Sequence, residues 1–233
     1  MVNSPSGLLT CLVSLSDFKT VAELRSLAKS VIGACVLGMI ILWVAAAAPA
    51  GTVLVLGDSL SAGYGLAPKL GWVNLLEKRL ATEGYEYLVV NASVSGETTS
   101  GGLERLPRAL LLHKPDIVIV ELGANDGLRG LPIAVTRGNL QKIVSLARQA
   151  GAKVLLVGMR IPPNYGPRYT REFEGMFGDL ARQFHLAFVP FFLKSIALDA
   201  NSFQADGLHP NARAQPALLE TVWPQLASLL KKP

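Results

Sequence analysis

The chain has 233 residues, of which half are apolar and 17% are charged, and its formal net charge is +5. This apolar content is enough to bury a large core, which excludes an intrinsically disordered chain. The sequence has no repeat at a fixed period, which sets aside solenoids and propellers. The basic residues are scattered rather than clustered with aromatic side chains, so we expect no nucleic-acid partner.

The N-terminal 50 residues have the features of an export signal. Three basic residues precede an apolar, uncharged run, VIGACVLGMIILWV, at residues 31–44. Small residues follow, and Ala-Pro-Ala at residues 48–50 fits the A-x-A pattern of a cleavage site. We therefore expect a signal peptide over residues 1–50, with cleavage after residue 50. The domain at residues 51–233 is then exported, periplasmic or secreted.

Two other interpretations of this segment stay open. Residues 31–50 form a run of about 20 residues, long enough to stay uncleaved as an anchor in the inner membrane. A buried helix of a cytosolic domain has a similar composition. Such a helix would run directly into Thr52–Leu56, which we predict to be a strand.

Five short apolar runs alternate with amphipathic helical patterns after residue 50. The runs are apolar on both faces, as strands covered by helices on two sides must be. This alternation predicts one α/β domain, a three-layer α/β/α sandwich around a five-stranded parallel sheet. The predicted strands are Thr52–Leu56, Tyr87–Val90, Ile117–Leu122, Lys153–Gly158 and Leu186–Pro190. The helical patterns include Trp72–Ala81, Leu140–Gln149, Glu172–Phe184 and Ala212–Leu230, the last interrupted near Pro216 and Pro224.

Small and polar residues follow four of the five predicted strands. GDSLS at 57–61 follows the first strand, NASVSGET at 91–98 the second, and GANDG at 123–127 the third. The fifth strand leads, through a longer segment, to DGLHP at 206–210. Ligands of an open parallel sheet bind outside the carboxyl ends of its strands. The four segments together therefore predict one active site.

These segments resemble the four named blocks of the SGNH (GDSL) hydrolase superfamily, in order, through Ser59, Gly96, Asn125 and His209. Within the superfamily, GDSLSAGYG, NASVSGETT, VELGANDGLRG and ADGLHPN are most similar to a bacterial group of acyl-CoA thioesterases I, arylesterases and lysophospholipases. The resemblance implies a flavodoxin-like SGNH hydrolase fold. It also implies an enzyme that hydrolyses acyl thioesters, aryl or short-chain esters and lysophospholipids.

The same residues support serine catalysis on chemical grounds. A serine hydroxyl is a poor nucleophile until an imidazole takes its proton, and a carboxylate improves the imidazole by fixing its tautomer. Asp206 and His209 are three residues apart, so a turn or short helix puts both side chains on one side. We predict Ser59 as the nucleophile, His209 as the general base and Asp206 as its orienting carboxylate. The chain has no G-x-S-x-G elbow, which disfavours the α/β-hydrolase route to this chemistry.

The tetrahedral intermediate of acyl transfer carries an oxyanion that needs fixed hydrogen-bond donors. We predict that these are the backbone N–H groups of Ser59 and Gly96 and the side-chain amide of Asn125. Glycine at position 96 lets the backbone approach closely, and we expect any Cβ there to intrude.

Each of these residues also has a plainer explanation. Ser59 could serve only as the N-cap of the helix that follows the first strand. Asn125 and Gly96 could be ordinary turn residues. Asp126 competes with Asp206 for the role of the carboxylate, although it has no histidine at short range. Asp58, beside the serine, is expected to bond within its loop.

The remaining reactive side chains predict no further chemistry. Cys11 and Cys35 both lie in the leader, so the mature domain has no disulfide, thiolate metal site or cysteine nucleophile. His113 and His185 have no carboxylate at useful spacing, and we expect structural roles for both. No cluster of histidines and carboxylates suggests a metal, and no cofactor is implied.

Two loops are expected to bind the acyl chain. The resemblance implies that the segment Asp126–Pro132 is a mobile cover, in which Gly127 and Gly130 supply freedom and Leu128 and Leu131 supply apolar contact. Residues 161–169 are expected to form the opposite wall, through Pro163 and Tyr165.

Three functional classes follow from this reading. We favour a monomeric serine ester and thioester hydrolase that acts on small-molecule esters, thioesters or lysophospholipids, near a membrane if the leader stays attached. A carbohydrate O-acetylesterase on the same scaffold is an alternative. It would be expected to show aromatic sugar platforms near the site, and neither Trp72 nor Trp223 lies in a block. A non-enzymatic lipid-binding module is a second alternative.

Overall fold

The computed structural model describes residues 51–232, so the predicted leader lies outside the described residues. Within this range, five parallel strands form one sheet, in which the first strand of the chain lies between the second and the third, and the fourth and fifth follow beyond the third. The predicted α/β class and parallel sheet are confirmed. The strands are β1 (Gly51–Gly57), β2 (Tyr87–Asn91), β3 (Ile117–Glu121), β4 (Lys153–Val157) and β5 (Ala187–Val189).

The central strands owe their continuous apolar sequences to burial on both faces. Val53 of β1 lies in register with Val89 of β2 on one side and with Ile117 of β3 on the other. Every residue of β3 is buried, whereas the edge strand β2 is only partly covered. Strands covered on both faces need no polar alternation, which explains why the runs read as unbroken hydrophobic segments.

Helices cover both faces of the sheet. On one face, the helix at Trp72–Thr82 packs against the helix at Gln215–Ala227. On the other face, the helix at Ile133–Gln149 packs against those at Thr99–His113 and Pro167–Phe184. Among residues 51–232, no helix combines the length and the apolar character needed to cross a bilayer. The helices are α1 (Ser59–Ala62), α2 (Trp72–Thr82), α3 (Thr99–His113), α4 (Ala124–Leu128), α5 (Ile133–Gln149), α6 (Pro167–Phe184) and α7 (Gln215–Ala227).

The two prolines of the last helical segment do not interrupt it as predicted. A short 3₁₀ turn at Ala212–Ala214 precedes α7, and Pro216 lies in the first turn of α7, where a missing N–H breaks no helical hydrogen bond. Pro224 lies inside α7, and the helix continues to Ala227. Pro224 is exposed, while its neighbours Val222 and Leu226 are fully buried, so packing of the opposite face maintains the helix.

The strand order places a crevice where the polar segments converge. The chain runs outward from β1 to β2 on one side and to β3, β4 and β5 on the other, so the order reverses between β1 and β3. Ligands bind at such a reversal, outside the carboxyl ends of the strands. Ser59 follows β1 and Asn125 follows β3. The fold therefore brings these two residues together across 66 positions of sequence.

Candidate active site

Ser59 is the first residue of the short helix α1, directly after β1. The N-cap of this helix is Asp58, whose Oδ1 accepts a hydrogen bond of 3.0 Å from the N–H of Leu60. The capping role that serine often fills therefore belongs to Asp58 here. The Ser59 hydroxyl is free for another partner, and its Oγ lies 2.9 Å from Nε2 of His209.

His209 connects Ser59 to Asp206. Its Nδ1 lies 2.7 Å from Oδ2 of Asp206, and the other carboxylate oxygen accepts from the backbone N–H groups of Leu208 and His209 at 2.9 and 3.0 Å. These backbone hydrogen bonds, that of His209 first, lower the pKa of Asp206 to about 2. The ionised Asp206 accepts a hydrogen bond from the Nδ1–H group of His209, so Nε2 carries no proton and presents a lone pair to the Ser59 hydroxyl. The arrangement can relay a proton from Ser59 to the imidazole.

Tyr64 supports the imidazole in a contact that the sequence analysis missed. Its ring centroid lies 4.5 Å from that of His209, with the planes tilted by 41°. The side-chain amide of Gln204 donates to the carbonyls of Tyr64 and Pro210, at 2.8 and 3.2 Å, and so links the two chain segments. The Gly-Tyr-Gly sequence at 63–65 is the pattern that could have indicated this contact. Gly63 and Gly65 both adopt positive φ angles and so set the position of the tyrosine between them.

Gly96 has the backbone conformation of a left-handed turn, with φ of +78°. The expectation that a Cβ would intrude here is wrong, because the nearest atom to such a Cβ is Nη2 of Arg129 at 3.9 Å. Glycine is favoured by the positive φ rather than by a close approach. Arg129, another residue that the sequence analysis missed, donates to the Gly96 carbonyl at 2.9 Å.

The amide group of Asn125 is held by two acceptors. Its Nδ2 donates to Oδ2 of Asp58 at 3.1 Å and to the backbone carbonyl of Glu97 at 3.0 Å. The backbone N–H groups of Ser59 and Gly96 have no protein acceptor among residues 51–232. Asn125 thus joins the loop after β2 to Asp58, the residue that precedes Ser59.

Two buried carboxyl groups lie next to the helix that carries Ser59. Asp58 and Glu121 are each 1% exposed, and Oε2 of Glu121 accepts from the Ser61 hydroxyl at 2.6 Å and from the Asp58 N–H at 3.4 Å. Burial raises the pKa of Asp58 to about 6 and raises that of Glu121 well above its usual range. Asp58 bonds within its loop as expected, and it also reaches Asn125. Glu121 was missed because its sequence position looked like the end of a strand.

Asp126 has a different task from Asp206. It is 1% exposed, and its carboxylate accepts from the N–H and hydroxyl of Thr99, at 2.9 and 2.5 Å. These bonds fix the first turn of α3 against α4. Asp206, and not Asp126, contacts the histidine.

A cavity of about 480 Å³ opens beside Ser59 and His209. Its walls are mostly apolar. They include Leu60, Leu128, Met159, Ile161, Pro162, Pro163, Phe191, Leu193, Ala197, Phe203 and Leu208.

The predicted binding loops contribute to this cavity only in part. Leu128 and Pro163 line it, whereas Gly127, Leu131 and Tyr165 do not. Gly127 is buried, and a Cβ there would lie 2.6 Å from the ring of Phe173, so tight packing explains this glycine better than conformational freedom. Tyr165 instead ties the two loops together, because its hydroxyl donates to the Leu128 carbonyl at 2.7 Å. The hydroxyl of Tyr169 holds the Leu131 carbonyl in the same way.

The other histidines lie at helix ends. His113 is the last residue of α3, and His185 caps α6 with a positive φ of +49°. Across residues 51–232, no three histidine, cysteine or acidic side chains come close enough to hold a metal ion.

Comparisons with known proteins identify the family. Residues 55–216 match the GDSL-like lipase/acylhydrolase family. The chain belongs to this family. It is 55% identical to the esterase TesA of Pseudomonas aeruginosa over 78% of this chain and 91% of that protein. It is 42% identical to an Escherichia coli protein named thioesterase 1/protease 1/lysophospholipase L1, over 79% of this chain and 87% of that one.

Solved structures agree with the family assignment. A crystal structure of TesA matches 77% of this chain and 99% of its own, with 55% identity and a TM-score of 0.75. The predicted SGNH fold and superfamily are confirmed. The chain is therefore an enzyme of the GDSL class, a serine ester hydrolase.

Proposed function

We propose that this protein hydrolyses acyl esters and thioesters through a Ser59–His209–Asp206 triad and an acyl-enzyme. The observation that carries the proposal is the relay itself: 2.9 Å from Ser59 Oγ to His209 Nε2 and 2.7 Å from His209 Nδ1 to Asp206 Oδ2. Both distances lie in the range of a working nucleophile and base.

The mechanism follows from these contacts. His209 Nε2 takes the hydroxyl proton while Ser59 Oγ attacks the acyl carbonyl carbon, and the carbonyl electron pair moves to oxygen. The backbone N–H groups of Ser59 and Gly96 and the amide of Asn125 stabilise that oxyanion. Collapse expels the alcohol or thiol, which takes the proton from His209. Water, deprotonated by His209, then attacks the acyl-serine, and Ser59 leaves as it recovers a proton.

An acyl chain is the substrate portion that the cavity fits best. Aliphatic side chains such as Leu128, Ile161 and Leu193 dominate its walls, and burial of apolar surface is the main favourable term for such a chain. The relatives are named for ester, thioester and lysophospholipid substrates. We extend this substrate class to the present chain. The acetyl group of an O-acetylated carbohydrate would bury much less apolar surface in this cavity than a longer acyl chain.

The decisive experiment measures turnover across a substrate series. It uses p-nitrophenyl esters from acetate to palmitate, beside palmitoyl-CoA, a lysophospholipid and an acetylated xylo-oligomer. We expect Ser59→Ala to lower kcat by at least 10⁴-fold, roughly the loss seen when a triad member is removed. The matched control is Ser61→Ala, which alters a buried serine of the same helix that bonds to Glu121 rather than to His209. Turnover of Ser59→Ala within tenfold of the wild type would contradict the mechanism.

We also propose that residues 1–50 direct export of the hydrolase domain and are removed. Support comes from the sequence, in which basic residues, an apolar run and the Ala-Pro-Ala pattern at residues 48–50 follow one another in the order of a cleavable export signal. Cell fractionation and N-terminal sequencing of the expressed full chain test this. A periplasmic product that begins at Gly51 is expected, whereas a membrane-bound product with an intact leader would favour the anchor. A monomer in solution stays a prediction, which size-exclusion chromatography with light scattering checks.

A further inference from the structure

The buried carboxylate of Asp58 makes two hydrogen bonds that serve different parts of the site. One oxygen accepts from the N–H of Leu60 and so caps the helix that carries Ser59. The other accepts from the Asn125 amide at 3.1 Å. A residue that only stabilised its loop would need the first bond and not the second.

We propose that Asp58 is a positioning residue that aims the side-chain amide of Asn125 for oxyanion binding. This inference rests on the proposed function, because it takes Asn125 as an oxyanion donor.

The hydrogen-bond partners determine which way the Asn125 amide points. Both neighbours of Nδ2, the Asp58 carboxylate and the Glu97 carbonyl, only accept hydrogen bonds. Rotation of the amide by 180° would turn Oδ1 toward two acceptors, so Nδ2 is held in place. A donor fixed before the substrate arrives needs no reorganisation in the transition state. Both N–H groups of Nδ2 already donate to protein acceptors, so an oxyanion shares one of them as a second acceptor.

Asn at position 58 cannot replace the carboxylate. It keeps the shape of Asp but offers one acceptor atom, whereas the Leu60 N–H and the Asn125 amide both require an acceptor. One of the two donors is then left facing an NH₂ group. Asp58→Asn therefore removes the positioning bond without opening a cavity.

Both bonds are strongest when Asp58 is ionised, and its surroundings let it titrate. The charged or titratable groups that face it are Glu121 from the end of β3, Asp126 from α4 and His209 from the turn after β5. Burial raises the pKa of Asp58 to about 6. Proton uptake there converts one oxygen to a hydroxyl and weakens its bond to Asn125, so this carboxyl should add to the loss of activity at acid pH.

A double-mutant cycle tests the proposal. It combines Asp58→Asn with Asn125→Ala and measures kcat and KM on one p-nitrophenyl ester. We expect Asp58→Asn to lower kcat about 10–100-fold, the factor that corresponds to loss of one hydrogen bond to a charged group, with KM changed less than about threefold. In the Asn125→Ala background, the same substitution should cost less than about threefold, because it has no amide left to aim.

The outcomes separate this proposal from its competitors. Additive losses would show that Asp58 acts on Ser59 or His209 directly, which overturns it. Equal or higher activity in Asp58→Asn would show that the carboxylate competes with the oxyanion, which also overturns it. The control is Asp126→Asn, an equally buried carboxyl that bonds to Thr99 and not to the amide of Asn125. This control should stay within about threefold of wild-type kcat.

A second measurement needs no substitution at position 58. Burial raises the pKa of Asp58 to about 6, so Asp58 takes up a proton as the pH falls from 8 to 5, and its bond to the Asn125 amide weakens. Over this range kcat should therefore fall more in the wild type than in Asn125→Ala, which has no amide left to aim. A ratio of the two kcat values that stays constant would overturn the proposal. Wild-type turnover and its loss in Ser59→Ala decide the proposed function separately, so an additive cycle in an active enzyme refutes this inference alone.

Discussion

The two sides of Ser59 are built in contrasting ways. On the base side, Asp206 and His209 lie in one exposed turn, held by hydrogen bonds that span two or three residues. On the oxyanion side, Gly96 and Asn125 come from two different strand ends, and the supporting carboxyl groups of Asp58 and Glu121 are almost completely buried. The base side is held by short-range hydrogen bonds in an exposed turn, whereas the oxyanion side is held by long-range hydrogen bonds to buried carboxyl groups.

This difference sets opposite protonation behaviour for the same chemical group. Backbone N–H donors lower the pKa of exposed Asp206 to about 2, whereas burial raises that of Asp58 to about 6. Asp206 therefore stays ionised wherever the enzyme is assayed, as the orienting partner of a general base should. The carboxyl groups of Asp58 and Glu121, by contrast, take up protons at a higher pH than exposed carboxyl groups do. Substitutions on the two sides should then have different signatures in pH profiles.

The largest effect is expected on the base side, for Asp206→Asn. The substitution removes the charge that favours the imidazolium and no longer enforces the tautomer, so kcat should fall by about 10²–10⁴-fold. Steady-state kinetics on a p-nitrophenyl ester measure this loss. A comparable loss in Asp126→Asn, with Asp206→Asn close to the wild type, would mean that the wrong carboxylate has been assigned.

A smaller effect is expected on the oxyanion side, for Asn125→Ala. Loss of one oxyanion donor should lower kcat by about 10²–10³-fold with little change in KM, since the donor acts mainly in the transition state. Kinetics on a p-nitrophenyl ester resolve the two constants. A raised KM with an unchanged kcat would instead make Asn125 a residue that binds the ground-state substrate.

The same contrast explains what the sequence could predict. The Asp206–His209 pair was visible because its geometry depends on a spacing of three residues within one turn. The sheet was visible because apolar runs and helical patterns alternate. The Asp58–Asn125 bond joins residues 67 positions apart. It depends on the register of β1 against β3, which no local pattern encodes.

The binding loops show the same limit. Leu128 and Leu131 look equivalent in sequence, yet only Leu128 lines the cavity. Which of them faces inward depends on the single helical turn of α4 and on the hydroxyl groups of Tyr165 and Tyr169, which hold the two carbonyls from another loop. Gly127 was taken for a flexible residue because composition alone does not show the ring of Phe173 packed against it.

The smallest effect on activity is expected for Glu121→Gln. This substitution tests whether burial keeps the Glu121 carboxyl group protonated in the folded protein. Gln can still accept the hydrogen bond from Ser61, and Glu121 contacts the N–H of Asp58 rather than the substrate cavity, so kcat should change less than about threefold.

The substitution should instead change how the free energy of unfolding depends on pH. The folded wild type keeps the Glu121 proton above pH 4.5, where the unfolded chain releases it, so folding loses stability as pH rises. The loss is about 1.4 kcal/mol per pH unit, up to the pKa of the folded state. Gln has no proton to release. Urea unfolding from pH 4 to 8 should therefore show that the free energy of unfolding of the variant rises relative to that of the wild type as the pH increases. If the difference in the free energy of unfolding between the two proteins stayed constant over this interval, burial would not raise the pKa of Glu121 in the folded protein.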